Sequence, residues 1–394
     1  MKKFFAISAI AVMFAACAKE EPKAPVDEFS APVEETGLVP VEFTSNVTAS
    51  VLTKAQGGVD EWNGKQTLHV YGYQRTQNMD YTTPFIDNVS ATSPASGTGP
   101  SGITVVNAES KPYYYVSNYT YDFYGYYVDG LSVTPLKKTD GVYVSLELTG
   151  GEDIMVAKAD PHTDVLRAQS NGTFTGGTSW NDKYAYSAYA ARRGVQPSLI
   201  FQHQLVRFTF EIVSGSEFET LGDPVKNLFV TGLYLQANNK TDLCVAGPNL
   251  GLTNIDRENM AVFTLKERDA QGNLGALTKY EVPSMSTPVV EGSNVIGESI
   301  MVIPNVAPAQ GKVDTYKMSL MMTQHGYEIP YDVDLKFSDV EGAPQGQTQF
   351  TAGYSYRISI KVYSLAEIEI SAKLEEWKNG GQIAVDTDYA PEII

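Results

Sequence analysis

Cysteine is nearly absent from this chain. Beyond Cys17 only Cys244 remains, which excludes an intramolecular disulfide framework. A lone cysteine in a strand-like stretch reads as a small buried apolar residue. Histidine is scarce as well. His69, His162, His203 and His325 lie far apart, without the clustered spacing that a zinc site needs. Basic residues are few, 29 against 46 acidic ones, for a net charge of −17. A chain this acidic, with no basic patch, is not built to hold nucleic acid or to bind anionic lipid electrostatically. Long apolar runs are confined to Phe4–Ala16, too short to span a bilayer as a helix. No long amphipathic helix is legible. What the chain has instead is 24 Tyr, 33 Gly and 20 Pro, with many Thr, Ser and Val, the composition of a β-rich exported protein.

The first residues read as a secretory signal. Met1-Lys2-Lys3 is basic, the apolar run follows, and Phe14-Ala15-Ala16 places small residues before Cys17. That arrangement resembles the lipobox of bacterial lipoproteins, in which the cysteine is lipidated and becomes the mature N-terminus. Phe14 stands where Leu is usual. Residues 1–16 are thus expected to be a lipoprotein signal peptide and 17–37 a tether, because Pro, Glu and Ala dominate there and cannot bury a core. Lys19-Glu20-Glu21 resembles the acidic surface-export signal of Bacteroidota lipoproteins, and reads equally well as a solvated charge run.

Alternation then takes over. Val39, Val41, Phe43, Val47 and Val51 share one parity, and Glu42, Thr44, Asn46, Thr48 and Ser50 the other. This is the pattern of a half-buried strand. It ends at Lys54-Ala55 and two glycines, a loop open to a trypsin-like protease. "TLHVYGY" (Thr67 to Tyr73) reads as a strand, and the Ser/Pro/Gly-rich stretch from Ile86 to Gly102 as a loop. In "YTYDFYGYYVDG", Tyr119, Tyr121, Phe123 and Tyr127 share a face, so core packing is favoured over an exposed aromatic platform. In "SLIFQHQLVRFTFEIV" the apolar parity changes, with Phe201 and Leu205 odd and Val206, Phe208, Phe210 and Ile212 even. That change calls for a β-bulge near Leu205 or a strand passing from one sheet to another. His203, on the parity of Phe201, reads as a hydrogen-bonded, half-buried histidine. A break near Ser214–Pro224 divides the rest into 38–218 and 219–394. In the second part Tyr354, Tyr356, Ile358, Ile360 and Val362 share one face. "AEIEISAKLEEW" reads as a strand, with a helix as the alternative. The tail 382–394 alternates again at Ile383, Val385, Tyr389 and Ile393.

Motifs of catalysis are missing. Gly97-Thr98-Gly99-Pro100-Ser101-Gly102 matches a dinucleotide fingerprint by letters only, since no strand feeds it and no helix follows. No G-x-S-x-G elbow is present, and "YDVDLKFSDVEG" lacks EF-hand spacing. The chain is read as a non-enzyme with no cofactor and no metal.

Taken together, the lipoprotein signal, the alternating strand ending in Thr53-Lys54-Ala55, Trp62-Asn63-Gly64 before "TLHVYGY", "YTYDFYGYYVDG", "LIFQHQLVRFTFEI" and "FTAGYSYRISIKVYS" with "IEISAKLEEW" resemble the fimbrillin family of Bacteroidota, its Mfa-like branch. Phe201, His203, Leu205, Gly353, Tyr354, Tyr356 and Trp377 stand at matching places, and Lys54 replaces a more usual Arg. The resemblance implies an all-β fold of two tandem transthyretin-like β-sandwich domains and a type V pilus subunit. It implies lipidation at Cys17, an outer-membrane anchor and surface exposure, and proteolysis between Lys54 and Ala55. The strand of Val39, Val41, Phe43, Val47 and Val51 would then leave a groove. A neighbouring subunit's tail, through Ile383, Val385, Tyr389 and Ile393, would fill it, building a head-to-tail fibre. The partners would be other fimbrial subunits and a host or bacterial surface ligand. The alternative is a surface glycan-binding lipoprotein of a polysaccharide-uptake system, relying on Trp180 or the Tyr113–Tyr115 run.

Overall fold

Tyr356, Ile358, Ile360 and Val362 turn one face of a strand inward as their alternation requires, with Tyr354 partly buried just ahead of it, and the same rule builds most of the molecule. The computed structural model describes residues 37–46, 62–95, 101–170, 185–215, 227–283, 294–365 and 367–375. In chain order these form β1 (Phe43–Asn46), β2 (Thr67–Gln74), β3 (Ile86–Thr92), β4 (Ser101–Ile103), β5 (Tyr121–Val128), β6 (Leu136–Lys138), β7 (Gly141–Glu147) and β8 (Ile154–Lys158). Two helices follow, α1 (Pro161–Ser170) and α2 (Ala188–Ala191), then β9 (Ser198–Ile200), β10 (Gln202–His203) and β11 (Val206–Ser214). The remainder is β12 (Leu228–Asn238), β13 (Lys240–Ala246), β14 (Gly251–Thr253), β15 (Met260–Thr264), β16 (Lys266–Arg268), β17 (Leu274–Ala276), β18 (Tyr280–Glu281), β19 (Val295–Val302), β20 (Thr315–Gln324), β21 (Tyr327–Lys336), β22 (Val340–Glu341), β23 (Ser355–Ser364) and β24 (Glu367–Glu375). The protein is nearly all β, and within "AEIEISAKLEEW" the residues Glu367–Glu375 form a strand.

The strands pair as β4-β1-β9, as β10-β8-β5-β2-β3 and as β14-β13-β7-β6, with β19-β11-β23-β24-β22 and β15-β12-β20-β21 further along. The five-stranded sheet around β5 is buried on both faces. Tyr121, Phe123 and Tyr127 join the core of Val41, Phe43, Trp62, Leu199 and Phe201. Tyr124 and Tyr126 join Tyr71, Tyr73, Val142, Val144 and Val245 on the opposite side. This double burial explains why the aromatic strand is core through both parities, beyond the half that alternation alone assigns. It also explains Gly125 at its centre. A Cβ there would lie 2.8 Å from the Phe201 ring, closer than packed carbons tolerate.

One chain segment crosses three sheets. β9 lies beside β1, β10 beside β8, and β11 between β19 and β23. Of the two readings of the parity change at Leu205, the passage between sheets is the one found. A register shift does occur in β11, but between Phe208 and Phe210, opposite β19. His203 is fully buried rather than half-buried, and its Nδ1 lies 3.0 Å from Asp153 Oδ1. β12 and β13 make a second crossing. β12 pairs with β20, and β13 turns back to pair with β7. Thus β11, ahead of residue 218, hydrogen-bonds on both edges to strands that follow it, and the core cluster around Tyr71 continues to Phe208, Tyr316, Phe350 and Tyr356.

One further reading is corrected, and a short helix joins the strands. The stretch from Ile86 to Gly102 contains β3 and part of β4. Its alternation is masked by Asn88 at φ +50° and by a register shift between Val70 and Gly72 in the neighbouring β2. A ten-residue helix, α1, follows β8. Its signal is Asp160-Pro161. The Asp160 carboxylate accepts the His162 N–H at 3.1 Å and the Thr163 hydroxyl at 2.6 Å, and Pro161 opens the helix. Replacing Gly125 by Val should destabilise the chain by about 1–3 kcal/mol through overpacking against Phe201, measured as a lower urea midpoint.

Candidate functional site

The opening strand is the centre of its sheet. β1 runs antiparallel to β4, with Phe43 opposite Ile103, and parallel to β9, with Ser45 opposite Leu199. Both edges of its backbone are therefore occupied. The ladder extends beyond the strand proper: the Val41 N–H donates to the Tyr113 carbonyl at 2.8 Å, and the Tyr115 N–H to the Val39 carbonyl at 2.9 Å. On the other edge the Thr44 N–H donates to the Pro197 carbonyl at 3.1 Å.

One step further out, a side chain replaces backbone. The Gln196 amide accepts the Glu42 N–H through Oε1 and donates through Nε2 to the Pro40 carbonyl, both at 3.1 Å. The Tyr115 hydroxyl donates to the same Oε1 at 3.2 Å and steadies the amide. Gln196 thus lengthens the β9 ladder by two bonds. Sequence reading did not single it out, because its role depends on a residue 154 positions away.

Val41 and Phe43 point inward and Glu42 is exposed, as the alternation predicts; Val39 is half-buried. The Phe43 ring stands edge-on to Phe123 at 5.1 Å, a favourable arrangement of ring quadrupoles. Val47, Val51, Lys54 and Ala55 lie outside the described residues. So do Cys17, Trp180, Trp377 and the tail residues Ile383, Val385, Tyr389 and Ile393.

The wall formed by β9 is pinned independently of β1. Asp164, buried on α1, accepts the Ser198 N–H at 2.9 Å and the Tyr186 hydroxyl at 2.5 Å, and pairs with Arg167. Burial pushes the Tyr186 phenol well above its ordinary value, so it stays a donor to Asp164.

Cys244 is buried, which pushes its thiol up to about 11 and keeps it unreactive at neutral pH. Of the tyrosines weighed as a stacking platform, Tyr115 is buried and Tyr113 and Tyr114 are partly covered, while Tyr119 is 44% exposed.

These features define a class: an all-β, multi-sheet protein whose first described strand completes a layer between two others. A model of the fimbrillin-like family matches residues 53–377, and the chain belongs to that family. The matched span begins after β1. Among solved structures, a candidate cell-adhesion protein of Bacteroides uniformis is similar at 16% identity and a TM-score of 0.47, covering 88% of this chain and all of that one. A fimbrilin (FimA) of Porphyromonas gingivalis is similar at 11% identity and 0.41, covering 87% and 99%. The tip fimbrial protein Mfa3 of the same organism is similar at 11% and 0.33, covering 86% and 99%. No curated protein sequence matches the chain.

Phe43→Ala should cost about 3 kcal/mol or more, since it empties a buried aromatic site over Phe123. Asp164→Ala should cost about 3 kcal/mol, because the Ser198 N–H, the Tyr186 hydroxyl and Arg167 lose their shared acceptor. Chemical denaturation of each variant checks both values.

Proposed function

We propose that the protein is a structural and adhesive subunit of surface fimbriae that assembles by exchanging its opening strand. On this reading the precursor is lipidated at Cys17, held at the outer membrane by the 17–37 tether, and cut between Lys54 and Ala55. The segment carrying Val39, Val41, Phe43, Val47 and Val51 then leaves. The tail of a second subunit, presenting Ile383, Val385, Tyr389 and Ile393, takes its place. Each joint leaves another slot open at the far end, so the contact is head-to-tail and does not close.

The observation that carries this reading is the position of β1 between β4 and β9. A strand at the outer edge of a sheet can leave and expose one edge. A central strand leaves a slot with an unpaired edge on each side, shaped for one extended segment. Magnitudes support replacement over simple loss. Burying Val41 and Phe43 contributes about 1.5–3 kcal/mol each, before any hydrogen bonds are counted. Domains of this kind have only about 5–15 kcal/mol in total. An empty slot would therefore remove much of the stability, and a new occupant restores it. The same reading assigns the chain no catalysis, in keeping with its family.

The test is the intact mass and N-terminal sequence of the protein recovered from sheared surface material. A mature chain beginning at Ala55 is the expected result. A chain still beginning at Cys17 would mean the opening strand stays in place and would remove the exchange step.

A further inference from the structure

Ser45 breaks the apolar rule of the slot from inside. It lies on the inward parity with Val41 and Phe43, opposite Leu199 of β9 and Ser101 of β4. Its side chain is 1% exposed, and among the described residues its hydroxyl has no hydrogen-bond partner. A hydroxyl buried without a partner loses its hydrogen bonds to water and recovers nothing in exchange. This cost belongs to the occupant rather than to the slot, because Ser45 departs with the opening strand. The backbone contacts cannot discriminate in this way. Gln196 bonds the backbone of Pro40 and Glu42, the two ladders pair through the backbone of residues 39–46, and any extended segment without proline at the donor positions offers the same groups.

We propose that Ser45 is a specificity-determining position of the slot. Its hydroxyl loosens the opening strand, so that an extended segment of a second subunit with a small apolar side chain at this place, the size of alanine or valine, is held more tightly. This rests on the exchange reading above and adds a direction to it. The first occupant is the weaker one, and replacement runs downhill without an external energy source.

Two measurements test it. In the first, the full chain is cut after Lys54 and exposed to equal amounts of two peptides spanning residues 38–54, one natural and one with Ser45→Ala. The retained peptide is counted by mass spectrometry. About tenfold preference for the alanine peptide is expected, and equal retention would overturn the assignment of Ser45 while leaving exchange intact. If neither peptide enters and the cut segment stays bound, exchange itself fails. The second measurement then decides on Ser45 alone. The urea midpoint of the uncut Ser45→Ala chain should rise above that of the natural chain, and an unchanged or lower midpoint would overturn the proposal.

Discussion

An extended backbone carries hydrogen-bonding groups along both edges, and a buried segment must satisfy them all. The opening strand meets that demand from two directions at once, through β4 and Tyr113–Tyr115 on one side and β9, Pro197 and Gln196 on the other. The layers beneath depend on it. Tyr121, Phe123 and Tyr127 form one face of the doubly buried five-stranded sheet, and β1 and Phe201 with their neighbours cover that face. Without Phe43 over Phe123, the central sheet would present aromatic carbon to water.

The two crossing segments set the limits within which this layer can change. β9, β10 and β11 are consecutive in the chain but belong to three sheets, so the wall beside β1 is continuous with the strand between β19 and β23. The buried His203–Asp153 contact sits at the middle of that passage and ties it to the start of β8. Asp164 fixes the first residue of β9 from the helix side. A slot can lose its occupant and keep its shape only if its walls are held by something else, and these contacts hold one wall. The other wall, β4, is three residues long and among the described residues pairs with β1 alone. The slot is therefore asymmetric, with one anchored side and one that leans on its occupant.

Much of this was legible in the residues. The parity of Val41 and Phe43 and the aromatic strand follow from period-two patterning, which reports burial directly, whereas the parity change near Leu205 fits a bulge as well as a passage between sheets. What escaped has identifiable causes. β3 and β4 lie in a Ser/Pro/Gly-rich stretch, and left-handed Asn88 interrupts the alternation that would reveal β3. α1 is short, and its evidence is a single cap at Asp160-Pro161 rather than a long apolar stripe. Ser45 reads as a surface residue by type, and only its place between Phe43 and Leu199 makes it buried. Gln196 and Asp164 act across long sequence separations, and one chain without its relatives carries no local mark of such pairings.

The Gln196 amide also bears on which way an occupant can lie. Along one edge of an extended strand, the carbonyl of one residue is followed by the N–H of the residue two places on. β1 presents these as the Pro40 carbonyl and the Glu42 N–H, and Gln196 meets them with Nε2 and Oε1. A strand of the opposite direction would present the same two groups in reverse order, and a half-turn of the amide would meet them equally well. The backbone ladders have no such freedom. β4 pairs antiparallel and β9 parallel, and reversing the occupant would exchange the two patterns of bonds. The clamp therefore tolerates either direction and any sequence, while the walls read direction and the inward side chains read identity. Recognition in the slot is divided among three sets of contacts, and no single substitution on the backbone-reading side should convert one occupant's preference into another's.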